Sequence, residues 1–83
     1  MTRHAARQYF VEQLVKYREI DCYWGAGRLV TRCVAVRIAA KPLPEGAVYI
    51  ARYAYPFSAD HFLRDLDDAL VKSQHEAARS LVA

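Results

Sequence analysis

The chain has 83 residues, 54% apolar and 25% charged, with a formal net charge of +3 and nine arginines against three lysines. That composition excludes a disordered chain and predicts one domain over residues 1–83, a size that buries only about 60% of its unfolded-chain surface and gains from a partner. No run approaches the roughly 18 apolar residues that cross a bilayer, and MTRHAARQ leads into a charged amphipathic pattern rather than a signal-peptide core, so a cytoplasmic protein with no membrane partner is expected.

From Arg3 to about Arg18, Ala6, Phe10, Leu14 and Tyr17 recur at spacings of four and three, which predicts an amphipathic helix. Arg3, His4 and Arg7 gather at its start, where the helix dipole favours a counter-ion. Ile20 to Trp24 reads as a short strand, and Gly25-Ala26-Gly27 as a three-residue hairpin loop placing Trp24 opposite Arg28.

The stretch Arg28 to Tyr55 is rich in Val, Ile and Tyr and broken by Pro42, Pro44 and Gly46, so it reads as two strands joined by the loop Lys41 to Gly46. With Ala40 opposite Ala47, alternation yields two faces. One carries Ile20, Cys22, Trp24, Val30, Val34, Val36, Ile38, Tyr49, Tyr53 and Tyr55, with Arg28 and Arg32 as its charges, and is expected inside; Arg32 snorkels past Tyr55. The other carries Asp21, Tyr23, Leu29, Thr31, Cys33, Ala35, Arg37, Val48, Ile50, Arg52 and Ala54, too apolar to be merely solvated and too charged for an ordinary core. Pro56 ends the last strand, Ser58 suits an N-cap, and Ala59 to Ser80 is predicted helical, with Phe62, Leu63, Leu66, Ala69, Leu70, Ala77 and Leu81 on one stripe. The predicted fold is α+β of order α-β-β-β-α, a three-stranded antiparallel meander with both helices packed on one face.

Nothing recommends an enzyme. His61, Asp65, His75 and Asp68 lie on one helix, while His4, Cys22 and Cys33 sit elsewhere without metal-ligand spacing, so no metal is expected. Cys33 lacks a histidine within reach, and Cys22 and Cys33 point to opposite faces in this register, so both are expected to be packed free thiols. Asp67 turns away from Asp65 and Asp68, which excludes a converging carboxylate pair, and Gly25-Ala26-Gly27 precedes a strand rather than a helix, so it is no phosphate loop. No cofactor is expected.

The element order is that of the double-stranded RNA-binding domain. That family presents lysines at the start of its second helix, whereas Ser58, Asp60, His61, Asp65, Asp67 and Asp68 stand here and repel phosphate, so the chain is not assigned to it. The expected function is a non-enzymatic protein-binding module, a homodimer or an inhibitor of a host complex encoded by a phage or plasmid, for instance of a CRISPR effector. Its expected partner-binding residues are Asp21, Tyr23, Leu29, Thr31, Arg37, Val48, Ile50 and Arg52. The alternative is a nucleic-acid binder using Arg3, Arg7, Arg28, Arg32, Arg37 and Arg52 on phosphates and Tyr23 for stacking. A sheet margin that takes up a partner's strand is a third expectation.

Overall fold

The structure, a computed structural model, describes residues 1–35 and 42–82, the last eight by their backbone only. The elements run α1 (Arg3–Tyr17), β1 (Glu19–Gly25), β2 (Arg28–Cys33), β3 (Val48–Ala54) and α2 (Ala59–Val82). The α+β order is as the sequence predicts, and both helices pack on one side of the antiparallel sheet.

Local chemistry sets the helix ends. The hydroxyl of Thr2 accepts from the Ala5 N–H at 3.1 Å and caps α1, while Arg18 takes the left-handed conformation (φ 67°) and donates its N–H to Leu14. Such a φ costs a non-glycine residue roughly 1–2 kcal/mol. Two contacts oppose that cost: Tyr55 donates its N–H to the Arg18 carbonyl at 2.8 Å, and the Arg18 guanidinium lies 4.7 Å from the Tyr55 ring centre. At α2, Ser58 caps as expected, its Oγ accepting from the His61 N–H.

The predicted meander is corrected. The strand order is β2-β1-β3, so β1 is central and β3 pairs with it rather than with β2. The expected pairing of Arg28–Ala40 with Ala47–Tyr55 fails because β2 ends at Cys33 and the chain bends at Val34 and Ala35; Val36 to Lys41 lie outside the described residues. Pro42 and Pro44, which carry no N–H, cannot extend a ladder. β1 gains the centre because it brings Ile20 and Cys22, both fully buried, to the middle of the core.

The first turn is corrected as well. Gly25 pairs with Arg28 and Trp24 with Leu29, leaving the two-residue loop Ala26-Gly27 with φ of 52° and 70°. Two positive φ values match the right-handed twist of a hairpin. Because side chains alternate, this one-residue change exchanges the faces of β2, turning Leu29, Thr31 and Cys33 inward and Val30 and Arg32 outward. Gly25 serves close approach instead of the turn: a Cβ there would stand 3.0 Å from the Ala47 Cβ and 3.3 Å from that of Pro44.

A β-bulge decides β3. Cys22 opposes Ala51 but Tyr23 opposes Tyr49, which leaves Ile50 as the extra residue. Tyr49 therefore faces out and is half exposed, whereas Tyr53 packs inward. The core joins Ala6, Phe10 and Leu14 of α1 to Ile20, Cys22 and Leu29 of the sheet and Phe62 and Leu66 of α2. Phe10 stacks on Phe62 at 4.1 Å between centroids and meets Tyr53 and Phe57 edge-on. Of the stripe predicted on α2, Phe62, Leu66 and Ala69 are buried and Leu63 and Leu70 partly so; the side chains of Ala77 and Leu81 lie outside the described residues.

The two glycine-loop positions have opposite tolerances. Gly25→Ala is expected to destabilise the domain by about 1–3 kcal/mol, because the 42–47 segment must move. Ala26→Gly should stabilise it by about 0.5 kcal/mol by removing a positive-φ penalty. Urea unfolding followed by circular dichroism reads both, and a loss of stability in Ala26→Gly would contradict the turn.

Candidate binding face

The outward side of the sheet is crossed by rows of paired residues. Arg32, Asp21 and Arg52 form one row, and Val30, Tyr23 and Tyr49 the next; Arg28 beside Gly25 and Ala54 beside Glu19 flank them. Among the described elements, none packs on this side.

Asp21 is the hub. Its carboxylate accepts Arg52 Nε at 2.9 Å and Arg52 Nη2 at 3.0 Å, a two-pronged pairing, and the Tyr49 hydroxyl at 3.2 Å. The Asp21 side chain is only 16% exposed against 54% for Arg52, so the anion sits beneath its partners. The hydrogen bond from Arg52 is the main cause that holds the Asp21 carboxyl below its ordinary range, and the opposing desolvation is smaller. Partial desolvation and the neighbouring Asp21 raise the Tyr49 phenol. Tyr23 meets Tyr49 edge-on at 5.2 Å, and the Arg32 guanidinium lies 5.7 Å from the Tyr23 ring centre rather than beside Tyr55.

Of the residues expected to bind a partner, Asp21, Tyr23 and Arg52 come together here. Leu29 is buried, Thr31 donates its hydroxyl to Tyr9 beneath α1, Ile50 packs on the core, and Val48 shares the inward face with Trp24. These four are corrected as outward residues, for the reasons of turn and bulge given above; Arg37 lies outside the described residues. Arg28, Val30, Arg32 and Tyr49 are the members that the sequence alternation assigns to the inward face. The arginines of the nucleic-acid reading are divided: Arg28, Arg32 and Arg52 line this face, while Arg3 and Arg7 belong to α1 on the other side.

Round the β3 margin, Tyr49 and Ile50 meet Asp65, Asp68, Ala69 and Lys72 of α2 in a shallow cleft of about 180 Å³. The Tyr53 hydroxyl donates to Asp65, and burial first, then that carboxylate, raises the phenol's pKa. Asp67 instead pairs with Arg3 at 3.1 Å, an exposed bridge of little energetic weight. Asp65 and Asp67 thus serve separate contacts.

Both cysteines are free thiols, and the register places them on the same inward face rather than on opposite ones. Burial pushes the Cys22 thiol up to about 12, which keeps it protonated and poorly nucleophilic. Among the described residues, no group of three or more His, Cys, Asp or Glu converges on a metal position, and no helix is long and apolar enough to cross a membrane. No protein family, curated protein or solved structure matches this chain.

The Asp21 pairing sets an acid limit. Its unfolded-chain pKa is near 3.8 and its folded value lower, so the unfolded chain takes the proton first as pH falls. The contribution is full above about pH 4 and disappears as pH drops through the folded value. Urea midpoints of the wild type and Asp21→Asn should therefore differ most near neutrality and converge as pH falls through the folded value, the wild type being the more stable at neutral pH. A gap independent of pH would contradict the pairing.

Proposed function

We propose that this chain is a non-enzymatic protein-binding module whose contact surface is the sheet face carrying Asp21, Tyr23, Val30, Arg32, Tyr49 and Arg52. One observation carries the reading: the central carboxylate already accepts three hydrogen bonds within the chain, so the face can be covered without stranding a buried charge. Tyrosine and arginine together are the residues that most often dominate contact energies, and Tyr49 stands half exposed among them.

The runner-up is a platform for single-stranded nucleic acid, favoured by Tyr23 and Tyr49 side by side with three arginines on the same face. Against it, Asp21 and Glu19 offset two of those arginines, and Arg52 is already engaged by Asp21. A net +1 over this face gives weak attraction for a phosphate backbone.

Two measurements separate the classes. Fluorescence polarisation with single- and double-stranded RNA and DNA at physiological salt is expected to show binding no tighter than about 10⁻⁴ M. Capture from host lysate on the immobilised chain is expected to retain a protein whose recovery falls about 10- to 30-fold with Tyr49→Ala and is unchanged with Arg64→Glu on the far side of α2. Equal recovery on Tyr49→Ala would remove the face from the account, and tight, salt-sensitive oligonucleotide binding would favour the runner-up.

A further inference from the structure

The sheet has two edges, β2 and β3, and they end differently. At the β2 edge the Leu29 N–H donates to Met1 Sδ at 3.3 Å. At the β3 edge the register fixes which main-chain groups point outward. Tyr55 donates its N–H to Arg18, so these two form a hydrogen-bonded pair, and alternation makes Ile20–Tyr53 and Cys22–Ala51 the next two. The N–H and C=O of Arg52 and Ala54 therefore aim away from β1, and among the described residues no backbone group meets them. No proline interrupts β3, and its Ile50 bulge precedes both residues, so this end of the edge is regular strand.

An extended backbone matches such a row, because it supplies a complementary donor and acceptor at every second residue. The side chains beside the edge select what that segment carries. α2 packs against the inward side of β3, and its Asp65, Asp68, Ala69 and Lys72 form with Tyr49 and Ile50 the cleft of about 180 Å³. Inward side chains of an added strand point toward this cleft. Asp65 accepts from the Tyr53 hydroxyl, whereas Asp68 is exposed and makes no ion pair with Lys72 or any other described residue. Two carboxylates against one ammonium, beside the apolar Ile50 and Ala69, fit a lysine or arginine with apolar neighbours. Arg52 is the one cation of β3 and lies on the opposite side, bound to Asp21, so a second copy of β3 would leave Asp68 without a counter-charge.

We infer that the outer edge of β3 takes up an extended segment of a partner protein as a fourth strand, with a lysine or arginine of that segment seated against Asp68 and Asp65. This goes beyond the reading of the bare face and does not rest on it. Arg52 and Ala54 offer two donors and two acceptors, and each such bond contributes modestly, so the charge in the cleft decides which segments bind.

Amide exchange of the isotope-labelled full chain, alone and with the acetylated heptapeptide Thr-Val-Thr-Lys-Thr-Val-Thr, is the test. In the free chain the Arg52 and Ala54 amides should exchange about 100-fold faster than those of Ala51 and Tyr53. The peptide should slow both, and glutamate in place of its lysine should weaken binding about 10-fold. Asp68→Lys, at an exposed position of α2 and checked for folding by circular dichroism, should reverse that preference. N-methylation of the peptide's alternate amides should abolish the protection. Arg52 and Ala54 amides already slow in the free chain at every concentration overturn the open edge. Protection that grows with chain concentration in the absence of peptide overturns the partner segment and assigns the edge to a second copy. No slowing by the lysine peptide, or equal binding of the lysine and glutamate peptides, overturns the proposal, and an N-methylated peptide that binds as well overturns strand addition. None of these readouts involves Tyr23, Val30 or Arg32, so the reading of the bare face stands or falls by its own capture experiment.

Discussion

Phe10 lying flat on Phe62, with Tyr53 and Phe57 turned edge-on to it, is the contact on which the rest depends. It joins the two helices to each other and to β3 in one cluster, and so commits both helices to the same side of the sheet. Removing such a ring typically costs about 3–5 kcal/mol, a large part of what a small domain has. The bare face follows from that commitment. With Phe10, Phe57, Phe62 and Tyr53 gathered on one side, none of the described elements is left to cover the other.

Two small backbone features then choose what the bare face carries. The Ala26-Gly27 turn sets the register of β2, and the Ile50 bulge resets that of β3 halfway along its length. Without the bulge, Tyr49 and Tyr53 would lie on one face, as residues four apart in a strand do. With it, Tyr53 enters the core to meet Phe10 and Asp65, and Tyr49 joins Asp21 and Tyr23 outside. One inserted residue thus divides a tyrosine pair between stability and surface chemistry.

The same two features mark how far the sequence could be read. Helix positions, the Ser58 cap, the inward Ile20 and Cys22 and the outward Asp21, Tyr23 and Arg52 were all legible, because each depends on local periodicity or capping chemistry. Strand order was not, since composition around Arg28 to Tyr55 fits a hairpin as well as a crossing connection, and only the early end of β2 distinguishes them. The turn lies one residue later than the glycine spacing suggests, because Gly25 is glycine to let Ala47 and Pro44 approach and not to turn the chain. A bulge has no compositional signature at all here: Ile50 is an ordinary strand residue, and its extra position is visible only against β1. Four of the expected contact residues moved inward for these reasons.

The central place of β1 has a consequence for assembly of the chain itself. Its pairing with β2 closes across two residues, whereas its pairing with β3 must close across the whole stretch from Val34 to Ala47. Loop-closure entropy makes the first ladder cheaper than the second, so one edge of β1 stands open in any partly folded molecule. The last seven-residue strand to dock is identical in every neighbouring chain, and at high concentration an intruding copy competes with the chain's own for that edge. Strand exchange, rather than unfolding, is the characteristic error that this topology invites.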